Sequence, residues 1–138
     1  MLTISKCFHF CASHTLNQPA WSLEKNLDVF GKCANPNGHG HNYELEVHVG
    51  GKLDPLTNMI VDVNVIERLV MELIVNDIDH KNLNTDVTWL EGVIPTSEGL
   101  VDLFWERLSP AINKAAPNAK LARLVLRETS KICATRTE

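Results

Sequence analysis

The stretch Cys33-Ala34-Asn35-Pro36-Asn37-Gly38-His39-Gly40-His41-Asn42-Tyr43, running on into Glu44-Leu45-Glu46-Val47-His48-Val49, decides how the chain is read. From residue 42 onward polarity alternates strictly. Tyr43, Leu45, Val47 and Val49 share one face, and Asn42, Glu44, Glu46 and His48 share the other. A period of two is the mark of a β-strand with one buried face. His39 and His41 carry the apolar parity, so both imidazoles belong on the buried side at the mouth of that strand. Residues two apart on a strand sit roughly 7 Å apart at the backbone, close enough for their imidazoles to converge on one ion.

Working back from this stretch, residues 2–14 repeat the pattern. Leu2, Ile4, Phe8, Phe10 and Ala12 share a parity that Lys6 interrupts and His14 continues, while His9 falls on the opposite face. Antiparallel pairing of the two strands would bring His14 beside His39 and His41. Residues 15–38 between them read as a long loop, broken by Asn17, Pro19, Gly31, Pro36 and Gly38. A loop of that length is usually functional or disordered.

Working forward, residues 50–58 supply a turn. Val63, Ile66, Leu69, Val70, Leu73 and Ile74 then show helical spacing over 63–76, with Asp62 or Asn64 as cap. Asp79-His80-Lys81-Asn82-Leu83 follows at the helix exit, and residues 84–95 read as loop. Thr96 caps a second helix, whose stripe is Leu100, Leu103, Phe104, Leu108 and Ile112, with Pro110 expected to kink or end it. A third strand is expected over 121–128, with Ala122, Leu124 and Leu126 on one parity and Glu128 ending that row. A fourth is expected over 131–136. The order is ββααββ, an α+β fold.

The chain has 138 residues, which suits a single domain spanning 1–138 with a sizeable core. Apolar residues make up 44% and charged residues 22%, and the formal net charge is −4. That balance gives no reason to expect nucleic acid or an anionic membrane as partner. No apolar run is long enough to span a bilayer. No secretory signal is evident, so Cys7, Cys11, Cys33 and Cys133 are expected as reduced thiols in a cytoplasmic protein.

The chemistry-bearing residues admit several readings. His-x-His alone is a common coincidence, but His14 on the matching face turns it into a three-histidine metal site. Three neutral nitrogens with an open position suit catalytic zinc, whereas structural zinc closes all four positions, usually with cysteine. Cys33 is open between fourth ligand, nucleophile, base and inert thiol. Asp79 is equally a helix-end residue or a carboxylate orienting His80. Glu128 is either a solvent-facing strand end or the polar anchor of an apolar pocket. Glu98 is most simply a first-turn glutamate that complements a helix dipole. Trp21, Trp89 and Trp105 read as packing residues.

Along most of its length the chain resembles the 6-pyruvoyltetrahydropterin synthase family. The resemblance rests on Phe10-Cys11-Ala12-Ser13-His14, on Glu24-Lys25-Asn26-Leu27-Asp28-Val29-Phe30-Gly31-Lys32-Cys33 and on Asn35-Pro36-Asn37-Gly38-His39-Gly40-His41-Asn42-Tyr43. It continues through Asp54-Pro55-Leu56-Thr57-Asn58-Met59, Asp79-His80-Lys81-Asn82-Leu83, Pro95-Thr96-Ser97-Glu98 and Glu128-Thr129, in matching order. It implies the tunnelling fold, a four-stranded antiparallel sheet with two helices on one face. It also implies a homohexamer, a dimer of trimers with active sites between subunits. His14, His39 and His41 would bind Zn2+. Cys33 would move protons at the substrate side chain, with Asp79 and His80 as its relay. Glu128 would grip the pterin ring and take part in the relay, and Thr96, Ser97 and Glu98 would line its pocket. The implied substrate is 7,8-dihydroneopterin triphosphate, whose triphosphate Lys25 and Lys32 are candidates to meet. The implied product is 6-pyruvoyltetrahydropterin, and the related 6-carboxytetrahydropterin synthases of queuosine (7-deazaguanine) biosynthesis use the same substrate. The long loop and the six-residue interval from Cys33 to His39 look like the pyruvoyl type. Two further readings are a pterin- or zinc-binding module without turnover and a small zinc hydrolase.

Overall fold

The structure is a computed structural model that describes residues 1–138. Its centre is the hairpin-like pair of β1 (Thr3–His14) and β2 (His39–Gly51), which run antiparallel in one unbroken register from Thr3↔Gly50 to His14↔His39. The alternation in sequence becomes alternation in burial. Phe8, Phe10, Ala12 and His14 are buried along β1, as are Tyr43, Leu45, Val47 and Val49 along β2. Cross-strand partners from the same face pack directly, and Phe10 and Tyr43 stack with ring centroids 4.9 Å apart.

The 24 residues expected as loop between these strands hold structure of their own. Ser22 caps α1 (Leu23–Phe30), its Oγ accepting from the Lys25 amide at 3.1 Å, and a 3-10 turn (Gly31–Ala34) follows. The helix was hidden because its apolar residues face outward: Leu23, Leu27 and Val29 are exposed. Only Asn26 is buried within α1.

Asp62 caps α2 (Val63–Val70), and a π-helical turn (Met71–Val75) and α3 (Asn76–Ile78) extend it. Within the π turn the carbonyl of Leu73 accepts from Arg107 Nε at 2.9 Å. Two residues, Lys81–Asn82, then form β3, a short parallel partner to Ala12 and Ser13 of β1. A 3-10 turn (Thr88–Leu90) leads on, and Thr96 caps α4 (Ser97–Ala115) as expected. Pro110 does not end α4; the helix continues to Ala115. Leu108 and Ile112, on either side of the proline, are buried, and that packing offsets the cost of about 3 kcal/mol that an interior proline carries through its lost hydrogen bond and ring clash.

β4 (Ala119–Thr129) and β5 (Ile132–Thr137) complete a five-stranded sheet in the order β3-β1-β2-β4-β5. The expected four antiparallel strands are present, and the parallel β3 is the addition. One parity expectation fails. His48 pairs with Arg123 and Val49 with Leu121, so Ala122 is the extra residue of a β-bulge. Ala119 and Leu121 face the core above the bulge, Leu124 and Leu126 below it, and Ala122 does not share their row. A second irregularity follows: Arg127 pairs with Cys133 and Thr129 with Ile132, which leaves Glu128 unpaired. α2 and α4 cover the apolar face, where Ile66, Val70, Phe104 and Leu108 meet Leu45, Val47 and Leu124 in one cluster.

Candidate functional site

The end of the sheet where β1 stops and β2 starts gathers the histidines. His14 is 1% exposed, and its Nδ1 lies 2.8 Å from the carbonyl oxygen of Pro95. Nδ1–H donates there, which fixes the tautomer and leaves the Nε2 lone pair facing inward. That Nε2 lies 3.1 Å from His39 Nε2 and 3.3 Å from Glu128 Oε1. His41 Nε2 is buried with no hydrogen-bond partner, although Glu128 Oε1 is 3.1 Å away. The contact lacks hydrogen-bond geometry, so proximity alone does not satisfy that nitrogen. Burial pushes His14 below its ordinary imidazole range, against the opposing pull of Pro95, and burial does the same to His41. Neutral imidazoles with lone pairs aimed at one point are what a metal needs. His14, His39, His41 and Glu128 each offer a ligand atom, all within 4.8 Å of one another, so these four residues could hold a metal ion.

The other polar groups of the pocket serve this cluster. Ser97, buried in the first turn of α4, donates its hydroxyl to Glu128 Oε2 at 3.3 Å. Tyr43 lies beneath the histidines with its hydroxyl 3.5 Å from His14 Nδ1. Burial, then the charges of Glu128 and Cys33, push the Tyr43 phenol far upward, so it stays protonated. Cys33 lies on the 3-10 turn that follows α1 and is half-buried. Its place is set through its carbonyl, which accepts from the Leu16 amide at 2.8 Å and from Thr15 Oγ1 at 3.3 Å. Thr96 is committed to the helix cap, accepting from the Gly99 amide at 3.1 Å, and Glu98, two residues after Thr96, is exposed.

Asn26 is the residue that sequence reasoning passed over. Its Oδ1 accepts from the Gln18 amide at 2.7 Å, and its Nδ2 donates to the carbonyls of Gln18 and Ser22, each at 3.1 Å. One buried amide thus closes the segment that carries Cys33. The signal in sequence was an asparagine inside a short helix whose other face is apolar. Asn26→Ala is expected to lower the unfolding free energy by about 1–3 kcal/mol, because buried backbone groups lose their partners. Thermal denaturation of the variant beside the parent checks this.

Asp79 and His80 are not part of the histidine cluster of this chain. They sit at the exit of α3, against Cys11, whose side chain faces the other side of the sheet from His14. Asp79 Oδ1 accepts from the Cys11 amide at 3.0 Å, and the His80 amide donates to the Cys11 carbonyl at 2.7 Å. His80 Nδ1 lies 2.9 Å from Asp79 Oδ1, while the His80 side chain is 78% exposed. His80 holds φ at 62°, a conformation that costs a non-glycine residue free energy. The Cys11 amide foremost, then His80, hold the Asp79 carboxyl below its usual value of 3.8. The sign follows from that depression: the stabilisation exists above pH 3.8 and fades as pH falls through the lower folded-state value. Asp79→Ala is thus expected to be less stable than the parent at neutral pH, with the gap closing below pH 3.8. Acid unfolding curves of the two proteins measure that gap.

A cleft of about 570 Å³ beside Asp79 and His80 is lined by Cys11, Gly40, His41, His80, Lys81 and Asp86 among others. A larger one of about 840 Å³ lies at the opposite end of the sheet, around Met1 and residues 50–55 and 117–120. It contains none of the candidate catalytic side chains.

Residues 3–138 match the model of the family described as 6-pyruvoyl tetrahydropterin synthase. The chain belongs to that family. A 6-pyruvoyl tetrahydrobiopterin synthase of Pongo abelii is 40% identical over 126 residues, covering 91% of this chain and 84% of the relative. The Homo sapiens protein of the same description is 39% identical over the same shares. The solved structure of Caenorhabditis elegans 6-pyruvoyl tetrahydropterin synthase superposes with a TM-score of 0.89 at 32% identity, covering 99% of this chain and 95% of that one. The chain is thus an α+β member of a family of lyases of pterin biosynthesis.

Proposed function

We propose that the chain is a zinc-dependent lyase that converts 7,8-dihydroneopterin triphosphate to 6-pyruvoyltetrahydropterin with release of triphosphate. The observation that carries this reading is the convergence of the His14, His39 and His41 side chains with Glu128 in a member of this family. The donor set fits zinc: three imidazoles, one of them fixed in tautomer by Pro95 and one left with a buried, unpartnered nitrogen. Zinc held there would supply Lewis acidity toward hydroxyl groups of the substrate side chain.

The chain's own residues supply the rest. Glu128 accepts hydrogen bonds from the N–H edge of the pterin, and Ser97 orients that carboxylate. Thr96, Ser97 and Glu98 form the wall of the pterin pocket at the start of α4. Cys33 takes a proton from the side chain and returns it elsewhere along the same carbon framework. The ring gains the hydrogens that the side chain gives up, so the step needs no external oxidant or reductant. Lys25 and Lys32 are exposed on the Cys33 segment and are the candidates to meet the triphosphate.

Asp79 and His80 enter this reading through a neighbouring subunit. Asp79 is half-buried and His80 exposed, and they cluster with Cys11 rather than with the three histidines. The sheet has open edges on both sides: β3 covers only Ala12 and Ser13 of β1, and β5 has a single partner, β4. Open edges invite pairing with further copies, which fits a ring of three subunits and two such rings in a homohexamer. Light scattering is expected to give about six chains per particle. Incubation with zinc and 7,8-dihydroneopterin triphosphate, followed by mass measurement, tests the reaction. A product of the 6-pyruvoyl mass is expected. A 6-carboxy product would move the chain to the other branch of the family, and no product would overturn the reading.

A further inference from the structure

We infer that the side chain of Asn84, acting through Thr15, is a positioning element for Cys33: it ties the turn that carries the thiol to the end of β1. The consequence for turnover rests on the proton-transfer reading of Cys33 proposed above; the positioning itself does not.

Three segments meet at Thr15, the first residue past β1. One is β1 itself, and another is the exit of β3. The backbone after β3 follows β1 as far as the Leu83 amide, which donates to the Ser13 carbonyl at 2.8 Å. There main-chain pairing ends and a side chain continues it. Asn84 Oδ1 accepts from the Thr15 amide at 2.8 Å, and Asn84 Nδ2 donates to the Thr15 carbonyl at 2.9 Å. A carboxamide offers an acceptor and a donor at one end, so it can serve both backbone groups of a single residue. Asn84 is held in turn. Its amide donates to Asn82 Oδ1 at 2.9 Å, and the Asn82 amide donates to Asp86 Oδ2 at 2.9 Å.

The third segment is the turn after α1. Thr15, with its backbone clamped, directs its hydroxyl at that turn. Oγ1 lies 2.8 Å from the Asn35 carbonyl oxygen and 3.3 Å from that of Cys33. One hydroxyl proton shared between two carbonyls grips the residues on either side of Ala34. The link therefore runs from Asn84 through Thr15 to both ends of a three-residue stretch that begins with the thiol.

The core does not depend on this link. Asn84 is exposed, Thr15 is half-buried, and neither belongs to the apolar cluster. Without the hydroxyl, the Asn35 carbonyl still accepts from the Gly38 amide at 2.9 Å, and the Cys33 carbonyl from the Leu16 amide at 2.8 Å. No buried group is orphaned, so the fold persists while the turn is free to drift against β1. A proton carrier has to lie within hydrogen-bond reach of the group it serves, and misplacement by about 1 Å costs about 10²-fold in rate.

Alkylation by iodoacetamide, read at each cysteine by peptide mass, reports position without using turnover. Asn84→Ala and Thr15→Val are expected to react faster than the parent at Cys33 and at the parent's rate at Cys11, the half-buried thiol of β1. Zinc content is expected to match the parent, with kcat lower by about 10- to 10²-fold and KM unchanged. Thr15→Ser keeps the hydroxyl and is expected to match the parent throughout. A Cys33 rate unchanged in either Asn84→Ala or Thr15→Val would overturn the inference. So would equal acceleration at Cys11 or loss of zinc, which mark general loosening, or a Thr15→Ser variant that behaves as Thr15→Val. Faster alkylation at Cys33 with the parent's turnover would uphold the positioning and overturn instead the proton-transfer role of Cys33.

Discussion

His39→Ala is expected to leave the protein folded, bring its metal content to background and cut turnover by about 10³-fold or more. Folding survives because His39 is half-buried at the first position of β2, outside the apolar cluster. Its partner across the sheet, His14, would be a poorer test. That side chain is 1% exposed and bonded to Pro95, so its loss would also loosen the junction with α4. The metal is expected to fall away because the two remaining imidazoles, His14 and His41, would no longer enclose the ion. Lewis acid stabilisation of several kcal/mol goes with it, and each 1.36 kcal/mol is about tenfold in rate. Metal analysis after dialysis, far-UV circular dichroism and the turnover assay together check this. A metal content equal to that of the parent would refute the ligand assignment.

How far the site was legible depends on which physical signal carried each residue. His14, His39 and His41 were visible because a strand has an exact period of two, and parity survives pairing when the register is unbroken. From Thr3 to His14 it is unbroken. Parity misled wherever a bulge intervened. Ala122 was expected in the core row, yet the slip opposite His48 and Val49 gives that place to Leu121. Glu128 kept the correct face, but its closeness to the histidine nitrogens comes from a second slip that no pattern of polarity encodes.

Elements without periodic burial were not legible. α1 packs mainly through Asn26, so its apolar residues suggested nothing that a core helix would. β3 is two residues long and exists because Ala12 and Ser13 offer it an edge. The Pro95 carbonyl that fixes His14 is a tertiary contact across 81 residues. The grouping of Asp79 and His80 with Cys11 rather than with the three histidines is likewise a fact of topology, since adjacent residues at a helix exit carry no parity to follow.

Cys33→Ala should behave in the opposite way to His39→Ala: metal retained, turnover lost. The readings left open by the sequence were ligand, nucleophile, base and inert thiol, and they predict different pairs of results. Were Cys33 the fourth ligand, the alanine variant would bind metal more weakly. The side chains whose ligand atoms converge are His14, His39, His41 and Glu128, and Cys33 is not among them. Were the thiol inert, turnover would not change. A proton carrier removed from its position costs about 10²–10⁴-fold in rate, and that is the expected loss. The fold should not suffer. Cys33 is half-buried, and its segment is held through its carbonyl by Leu16 and Thr15 and through the buried Asn26, none of which involves the sulfur. Cys33→Ser sharpens the result: a hydroxyl of the same shape is a far weaker acid, so serine should restore little of the rate if the thiol moves protons. Zinc stoichiometry near that of the parent, with turnover down by at least 10²-fold in both variants, is the outcome that places Cys33 in proton transfer. Turnover within a few fold of the parent would remove it from the mechanism.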